Sequence, residues 1–344
     1  MTALRQRIEH NGDTFDVAGI GSALVDVIVE LDDDDVARVG LVKGAMTLVD
    51  LEQASALRSQ VEGLSLKAVM RSGGSTANTM VGMASLGAHV AYLGKVGHDE
   101  LAGFFVKDME RAGTAPFCGR AARQATGHCL VLVTPDGERT MATHLGAAST
   151  ITREDIVGDV LSRSRTVYLE GYLWDLSQAK DAMTLAMEVT RQSHGLVAFT
   201  LSDPFCVDRH RQEFLDLVRG PVDLVFANEA EATSLMQVAT LDEALQALAE
   251  MDVVAAITKG ANGSVIVDRG VVAEVGASPV AKVIDTTGAG DLYASGFLFG
   301  LSRQLDYEAC ARLGSLCAAE VITHLGARPS SPLSSVAAAA GLLG

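Results

Sequence analysis

The sequence lacks long apolar runs and contains few cysteines. No stretch of about 18 apolar residues occurs, so the sequence predicts no membrane-spanning helix. The five cysteines are dispersed and form no CxxC pair, which argues against a disulfide framework and against a zinc site. The segment Met1–Thr14 is polar and has no apolar stretch of the kind found in secretory signals. We therefore expect a cytoplasmic protein with no membrane partner.

Basic residues are also scarce, since 27 Lys and Arg residues stand against 43 Asp and Glu residues. The resulting net charge of −16 would repel the phosphate backbone of nucleic acid and the surface of an anionic membrane. We therefore expect a small-molecule substrate and no nucleic-acid partner, while a homodimer stays open. The acidic run Asp32–Asp35 is typical of a solvated turn, and we assign it no function.

Short β-type runs alternate with helix-length amphipathic segments along most of the chain. This alternation predicts a three-layer α/β/α fold with a doubly wound, mostly parallel sheet and helices on both of its faces. The predicted strands are Phe15–Ile20, Ala88–Leu93, Thr166–Leu169, Leu196–Leu201, Val222–Phe226 and Val253–Thr258. The predicted helices are Leu101–Ala112, Ala179–Ser193, Leu241–Met251 and Tyr307–Thr323.

Two stretches interrupt the alternation with consecutive strands. Leu24–Leu31 with Ala45–Val49, and Gly127–Thr134 with Arg139–His144, are predicted to form strand pairs. The sequence Pro135-Asp136-Gly137 predicts a hairpin turn within the second pair. Because such strands have no place in a parallel sheet, we expect a small β-lid over one end of it, where open α/β folds bind their ligands.

The domain organisation follows from the absence of a Pro/Gly-rich linker. A chain without such a linker is better explained by one large domain than by two domains in tandem. We therefore predict a single domain over residues 1–344, with lid segments at about 24–50 and 127–145 inside it.

The glycine-rich segment Asp285-Thr286-Thr287-Gly288-Ala289-Gly290-Asp291 carries the clearest chemical signal. It follows Val280–Ile284, predicted to be a strand, and precedes Leu292–Leu301, predicted to be a helix. The amides of Gly288, Ala289 and Gly290 would then point outwards at a helix N-terminus, where the helix dipole favours an anion such as a phosphoryl group. Asp291, directly after this anion hole, would act as the general base for an acceptor hydroxyl. The alternative is a capped helix without a ligand.

This segment resembles the C-terminal signature of the PfkB-type kinases, which have the ribokinase-like fold. Gly73–Asn78, with Gly94–Asp99 further along, is similar to the N-terminal signature of the same family. The resemblance implies an ATP-dependent kinase in which Asp291 is the catalytic base. Asp26 matches an acidic residue of the family whose carboxylate can hold two vicinal ribose hydroxyls.

The first signature supplies further candidates for the acceptor side. The glycines Gly73 and Gly74 would form a hinge between a lid strand and a helix, so that the lid could close over the substrate and exclude water. Ser75 and Asn78 offer side chains that could bond sugar hydroxyls, and the resemblance supports this role for Asn78. The alternative is an ordinary loop before a helix capped by Ser75.

Several motifs are predicted to bind the donor. Asn228-Glu229-Ala230-Glu231 resembles the NxxE motif of the family, which implies that Asn228 and Glu231 organise Mg²⁺ and phosphate, partly through water. From the residues alone, the same pattern is typical of a helix cap. The remaining donor-side candidates implied by the resemblance are Thr258, Gly260 and Gly263 for the nucleotide, Asp285 next to the anion hole, His324 at the adenine and Arg139 on the lid for a phosphate.

Within the family, the resemblance is closest to the adenosine kinases and covers about Phe15 to Pro329. It includes Tyr168–Leu173 and Leu201–Phe205, and it implies that Tyr172 stacks on a purine. It also implies that Leu173 contacts the acceptor, although a second aromatic residue is expected at this position. Transfer to the 5′-hydroxyl of adenosine would yield AMP. A sugar kinase acting on ribose or fructose is the first alternative, and a sensor without turnover is the second. A dinucleotide-dependent oxidoreductase is excluded because Gly19-Ile20-Gly21 lacks the third glycine of the fingerprint.

Overall fold

The computed structural model describes residues 14–64, 68–136 and 138–343. Its strands are β1 Phe15–Ile20, β2 Leu24–Glu30, β3 Met46–Leu48, β4 Ala68–Gly73, β5 Val90–Val96, β6 Ala115–Arg120, β7 Gly127–Val133, β8 Arg139–His144, β9 Ser164–Glu170, β10 Leu196–Thr200, β11 Leu224–Asn228, β12 Val254–Thr258, β13 Ser264–Asp268 and β14 Val271–Val275. Its helices are α1 Asp33–Val39, α2 Leu51–Gly63, α3 Ser75–Ser85, α4 Glu100–Arg111, α5 Gly158–Ser162, α6 Ser177–Gln192, α7 Pro204–Arg219, α8 Glu229–Met236, α9 Leu241–Ala249, α10 Ala289–Ser302, α11 Tyr307–Val321 and α12 Leu333–Ala339.

The main sheet has nine strands in the order β14-β13-β12-β11-β10-β9-β1-β5-β6. All neighbouring pairs are parallel except those made by β13, which runs antiparallel to both β12 and β14. Every residue of β1 is buried, as expected for a central parallel strand that helices cover on both faces. The predicted doubly wound, mostly parallel sheet is therefore confirmed.

Helices pack on both faces of this sheet and enclose two apolar cores. One core lies under α3, α4, α10, α11 and α12 and is built around residues such as Tyr92 and Phe297. The other lies under α5 to α9 and is built around residues such as Trp174, Phe199 and Phe214. The three predicted layers are thus present. Each helix in the described part of the chain is too short or too polar to cross a membrane.

A second sheet of five strands, in the order β3-β8-β7-β2-β4, forms the lid. The burial of β2 alternates along the strand, which is typical of a sheet whose two faces differ. Val27, Val29 and Leu132 pack against α1 and α2 on one face, whereas Asp26 lies on the opposite face. The lid therefore presents a carboxylate on the face that its own helices do not cover.

The strand pairing in the lid corrects one prediction and confirms another. The predicted pair of Leu24–Leu31 with Ala45–Val49 is wrong, because β2 lies between β7 and β4, while β3 pairs only with β8, in parallel. The antiparallel pair β7–β8 is confirmed. Its predicted turn includes Gly137, which lies outside the described residues.

Two local predictions are also wrong. The acidic run at residues 32–35 is a helix start, with the Asp32 carboxylate accepting from the Asp35 amide at 2.9 Å, because carboxylates are favoured in the first turn of a helix. The segment Val280–Ile284 is not a strand, and Val283 and Ile284 are 49% and 42% exposed. Its end is instead tied to the end of α11, where the Ile322 carbonyl accepts from the Ile284 amide at 2.8 Å.

Candidate active site

The predicted anion hole lies at the N-terminus of α10. Gly288 is the N-cap residue with φ of 78°, a left-handed conformation that favours glycine. A side-chain carbon at this position would lie 2.6 Å from Cβ of Ala327, so the turn also leaves no room for one. Around Gly290, by contrast, such a carbon would meet no group outside the adjoining helix backbone within 4 Å, and Gly290 is exposed, so this side of the first turn is open. An anion could therefore approach the start of the helix.

Asp291, in the first turn of α10, accepts two side-chain hydrogen bonds from α3. Ser75 Oγ donates to Oδ1 at 2.7 Å, and Asn78 Nδ2 donates to Oδ2 at 2.9 Å. Burial raises the pKa of Asp291 to about 6, although these two hydrogen bonds oppose the shift. The carboxylate is thus held in place, is ionised at neutral pH and has a higher proton affinity than an ordinary aspartate.

Ser75 and Asn78, predicted to bond the acceptor, thus hold the carboxylate of the candidate base. Asn78 is 6% exposed, and its Oδ1 is buried without a hydrogen-bond partner among the described residues. A buried hydrogen-bond acceptor without a partner costs free energy unless a hydrogen-bond donor reaches it.

Asp26 faces the same space from the lid. Its carboxylate packs on Gly73, where an added side-chain carbon would lie 2.5 Å from Oδ2. Burial raises the pKa of Asp26 to about 6, the charges of Arg139 and Arg328 lower it, and the charge of Asp291 raises it. The structure thus brings the two predicted carboxylates, Asp26 and Asp291, into one electrostatic environment.

Gly73 and Gly74 join the lid to the core. Strand β4 ends at Gly73, and Gly74 precedes α3 with φ of 99°. A side-chain carbon on Gly74 would lie 2.2 Å from the Ser22 carbonyl oxygen, in the link between β1 and β2. The two links therefore cross in close contact, at the place where the sequence predicts a hinge.

Arg139 forms an ion pair between the lid and the signature segment. Its Nη1 lies 3.1 Å from Oδ2 of Asp285, and the two side chains are 9% and 3% exposed. Burial opposes ionisation of Asp285, but hydrogen bonds from the Gly326 and Thr287 amides and the charge of Arg139 outweigh it and lower its pKa. Asp285 thus connects Arg139 of the lid and the loop at Gly326 to the segment that contains the anion hole.

A cavity of about 560 Å³ opens beside the anion hole. Ala289 and Gly290 form its border with the anion hole, and the cavity is within the size range of small-molecule sites. None of the residues in its lining is charged: Thr258, Gly260, Ala261, Gly263, Ala277, Ser278, Pro279, Val280, Val283, Thr286, Ala289, Gly290, Tyr293, Ser315, Ala318, Ala319 and Ile322. The predicted donor residues Thr258, Gly260 and Gly263 lie here. The apolar run predicted as a strand supplies part of the wall.

His324 and the pair Asn228 and Glu231, which are predicted to bind the phosphoryl donor, lie outside this lining. His324 lies 3.3 Å from Glu320, between its Nε2 and a carboxylate oxygen. Asn228 and Glu231 form a capping box at the start of α8, with Asn228 Oδ1 accepting from the Glu231 amide at 2.9 Å and the Glu231 carboxylate accepting from the Asn228 amide at 3.1 Å. The capping alternative is therefore realised. Burial raises the pKa of Glu231 to about 7.

Aromatic residues lie at the carboxyl ends of β9 and β10. Tyr172 is 38% exposed, whereas its neighbour Leu173 is fully buried in the core. The prediction that Leu173 contacts the acceptor is therefore corrected, because its side chain packs inwards. Phe205, at the start of α7, is 75% exposed. Phe205 was not among the predicted site residues, and it lies in the apolar first turn of α7, where Cys206 and Val207 are buried.

Comparison with known proteins identifies a family and several similar chains. A model of the pfkB family carbohydrate kinases matches residues 34–333. The structure of adenosine kinase from Sinorhizobium meliloti is 43% identical and covers 95% of this chain and 99% of that one, with a TM-score of 0.87. The structure of a probable sugar kinase protein from Rhizobium etli CFN 42 is 41% identical and covers 96% and 99%, with a TM-score of 0.88. Adenosine kinase from Saccharomyces cerevisiae is 27% identical over 331 residues, which are 91% of this chain and 96% of that protein.

Proposed function

The chain belongs to the pfkB family of carbohydrate kinases, and from that premise we propose that it transfers the γ-phosphate of ATP to the 5′-hydroxyl of adenosine. As a member of this family with a ribokinase-like fold, it is a phosphotransferase with an alcohol acceptor, and the family uses ATP as its phosphoryl donor. The acceptor is the proposed part. A cytoplasmic location and a role in purine salvage would follow from it and are proposals as well.

The observation that carries the proposal is the surroundings of Asp291. Its carboxylate lies in the first turn of α10, which begins at Gly288, and it accepts from Asn78, whose Oδ1 has no partner among the described residues. Of the three amides predicted to form the anion hole, that of Ala289 donates to the Thr286 carbonyl at 3.2 Å, so an anion would compete with this bond. A hydroxyl placed there would donate to Asp291 and would face a phosphoryl group held by the helix N-terminus. Since phosphoryl transfer is largely dissociative, Asp291 would orient the hydroxyl and accept its proton late.

The remaining groups would position the two substrates. Asp26 would accept hydrogen bonds from the vicinal hydroxyls of the ribose, on the face of the lid opposite α1 and α2. The donor would lie in the cavity beside α10, where Thr258, Gly260 and Gly263 contribute to the wall. Arg139 would act on phosphate charge from the lid, close to its present partner Asp285.

Magnesium fits this chain only through water. Both carboxylate oxygens of Glu231 already accept hydrogen bonds from Asn228, and Glu231 is 5% exposed, so direct ligation would break the cap of α8. Among the described residues, no group of three His, Cys, Asp or Glu side chains is placed to hold a metal ion. Asn228 and Glu231 would instead hold water bound to Mg²⁺. When bound, the ion would neutralise charge on the donor phosphates.

A nucleoside is favoured over a free sugar by the exposed aromatic side chains. Tyr172 and Phe205 lie on adjacent turns, since the Cys206 thiol contacts the Gly171 carbonyl at 3.3 Å and the Tyr172 amide donates to Ser202 Oγ at 3.2 Å. Exposing an aromatic ring in water is unfavourable, and stacking on a purine would cover it. A pentose or hexose has no aromatic face and would cover the rings only with its smaller C–H faces. The name of the relative from Rhizobium etli keeps a sugar acceptor as the second candidate.

The test is ADP release from purified protein with MgATP and adenosine, other nucleosides, ribose, fructose or no acceptor. We expect adenosine to give the highest kcat/KM. Tyr172→Ala and Phe205→Ala should each raise the KM for adenosine about 5- to 150-fold, because stacking contributes about 1–3 kcal/mol per base. Leu176→Ala, which changes an apolar residue on the same turn, serves as the control. Turnover of a free sugar alone would overturn the nucleoside proposal and leave the kinase assignment intact.

A further inference from the structure

Ser72, the last lid residue before the hinge, lies opposite Val25 of β2 in the lid sheet and also bonds to groups of the core. Its amide and its Oγ donate to Oδ2 of Asp108 on α4, at 2.9 and 2.6 Å. Its carbonyl oxygen and its Oγ accept from Nη2 of Arg328, at 2.6 and 2.9 Å. Strand β4 lies at the edge of the lid sheet, so its free edge would otherwise be open to solvent or to another strand.

A charged arginine at this buried position costs free energy. Arg328 is 7% exposed, burial lowers its pKa to about 10, and its Nε is buried without a hydrogen-bond partner among the described residues. Burying a charged group costs several kcal/mol, and an apolar residue of similar volume is often no less stable. Packing alone therefore gives no reason for an arginine here.

Arg328 lies between the anion hole, on the phosphoryl-donor side of the site, and Asp26, on the acceptor side. Two residues before it, the Gly326 amide donates to Asp285, and Ala327 packs on Gly288 at the anion hole. On its other side, Ser72 precedes Gly73, on which the Asp26 carboxylate packs. A shift of Ser72 would thus move Asp26 relative to the anion hole.

We propose that Arg328 is a positioning residue for the transfer reaction, because together with Asp108 it clamps Ser72 and so fixes the Asp26 side of the lid against the loop that packs on Gly288. This proposal rests on the roles proposed for Asp26 and Asp291. The clamp would restrain the Gly73-Gly74 link from both sides, because Glu170 holds its core side: the Glu170 carboxylate accepts from the Thr76 and Ser22 amides at 3.0 and 2.8 Å.

The charge of Arg328 provides a second test of the proposal, through the pH dependence of kcat/KM. It lowers the pKa of both Asp26 and Asp291, whereas Glu170, buried at the end of β9, raises the pKa of Asp291. The polar groups around Asp291 are Ser75 and Asn78 on α3, Glu170 and Tyr168 on β9, Tyr172 on the following turn, Asp26 on the lid and Arg328. Loss of Arg328 and loss of the Glu170 charge should therefore move the acid limb of kcat/KM in opposite directions.

The experiment compares Arg328→Met, Arg328→Lys and Glu170→Gln with Arg312→Met, which removes an exposed arginine of α11 that pairs with Glu308. Arg328→Met should raise the KM of the acceptor about 10- to 100-fold, as expected for the loss of a buried charge-assisted hydrogen bond, and should move the acid limb to higher pH. Arg328→Lys should restore part of both effects, because an ammonium keeps the charge and can still donate to Ser72. Glu170→Gln should move the limb to lower pH.

Hydrogen–deuterium exchange of the peptide 68–76 tests the clamp without turnover. Faster exchange in Arg328→Met and in Ser72→Ala, with no change in Arg312→Met, supports the clamp even if adenosine is not the acceptor. If Arg328→Met does not fold, Ser72→Ala and Arg328→Lys decide by the same measurements. Unchanged exchange together with an unchanged acceptor KM would overturn the proposal. The proposal would also be overturned if Arg328→Met and Glu170→Gln shifted the acid limb of kcat/KM in the same direction, since that result indicates general disturbance of the site.

Discussion

Replacing Asp291 by Asn should make the protein more stable and far less active. The folded protein raises the pKa of this carboxyl from 3.8 to about 6, which corresponds to about 3 kcal/mol of unfolding free energy lost at neutral pH. Asparagine removes that penalty but presents an amide to one of the donors, Ser75 or Asn78, and loses about 1 kcal/mol with that hydrogen bond. We therefore expect a net gain of about 1–2 kcal/mol at pH 7.

The stability gain of Asp291→Asn depends on pH. Because the folded pKa of Asp291 lies above the unfolded value, the group costs nothing below pH 3.8, and its penalty grows until the pH passes about 6. The advantage of Asp291→Asn should therefore be absent near pH 4 and complete above pH 6. Urea unfolding at a series of pH values measures it.

Activity should change in the opposite direction. Loss of a general base lowers kcat by about 10²- to 10⁴-fold, whereas the affinity for both substrates should stay within a few-fold. Asp306→Asn is the control, because Asp306 is an exposed N-cap of α11 that asparagine can replace. A variant Asp291→Asn that is less stable than the wild type at pH 7, or that keeps its kcat, would refute the reasoning.

Three further predictions concern the same site. Since the pKa of Asp26 and that of Asp291 are both raised to about 6, kcat/KM should fall steeply as the pH drops below 6, and a flat profile down to pH 5 would contradict this. Gly288→Ala should lower kcat about 10²- to 10³-fold by displacing the anion hole, whereas Gly40→Ala, with a similar φ of 79° but open space around it, should cost stability only. Leu173→Ala should lower the unfolding free energy by about 2–5 kcal/mol and leave the acceptor KM unchanged.

The main sheet could be predicted because its signal is local. A strand such as β1 is a continuous apolar run, and the helices between the strands carry their own periodicity. The lid could be predicted only in part. Residues Ala68–Met70 of β4 are exposed and show no alternation, so nothing in the sequence indicated the strand that displaces β3 from β2.

The candidate base could be predicted because Asp291 lies within a glycine-rich turn next to a helix. Its partners could not, since Ser75 and Asn78 lie 216 and 213 residues away and meet it only after folding. The run Val280–Ile284 shows the opposite error. Apolar β-branched residues are typical of strands, but here Val280 and Val283 line a cavity, a use that a strand pattern does not distinguish.

The uncharged lining of the cavity beside α10 affects how quickly an anionic nucleotide can enter. The chain carries a net charge of −16, so its long-range field slows the approach of such a ligand before any contact forms. Because no charged side chain lines the cavity, the attraction of the α10 N-terminus for an anion acts only at short range and does not offset this long-range barrier. Added salt screens the field over about 10 Å at 0.1 M. Nucleotide capture should therefore become faster with ionic strength, whereas the release rate should change little.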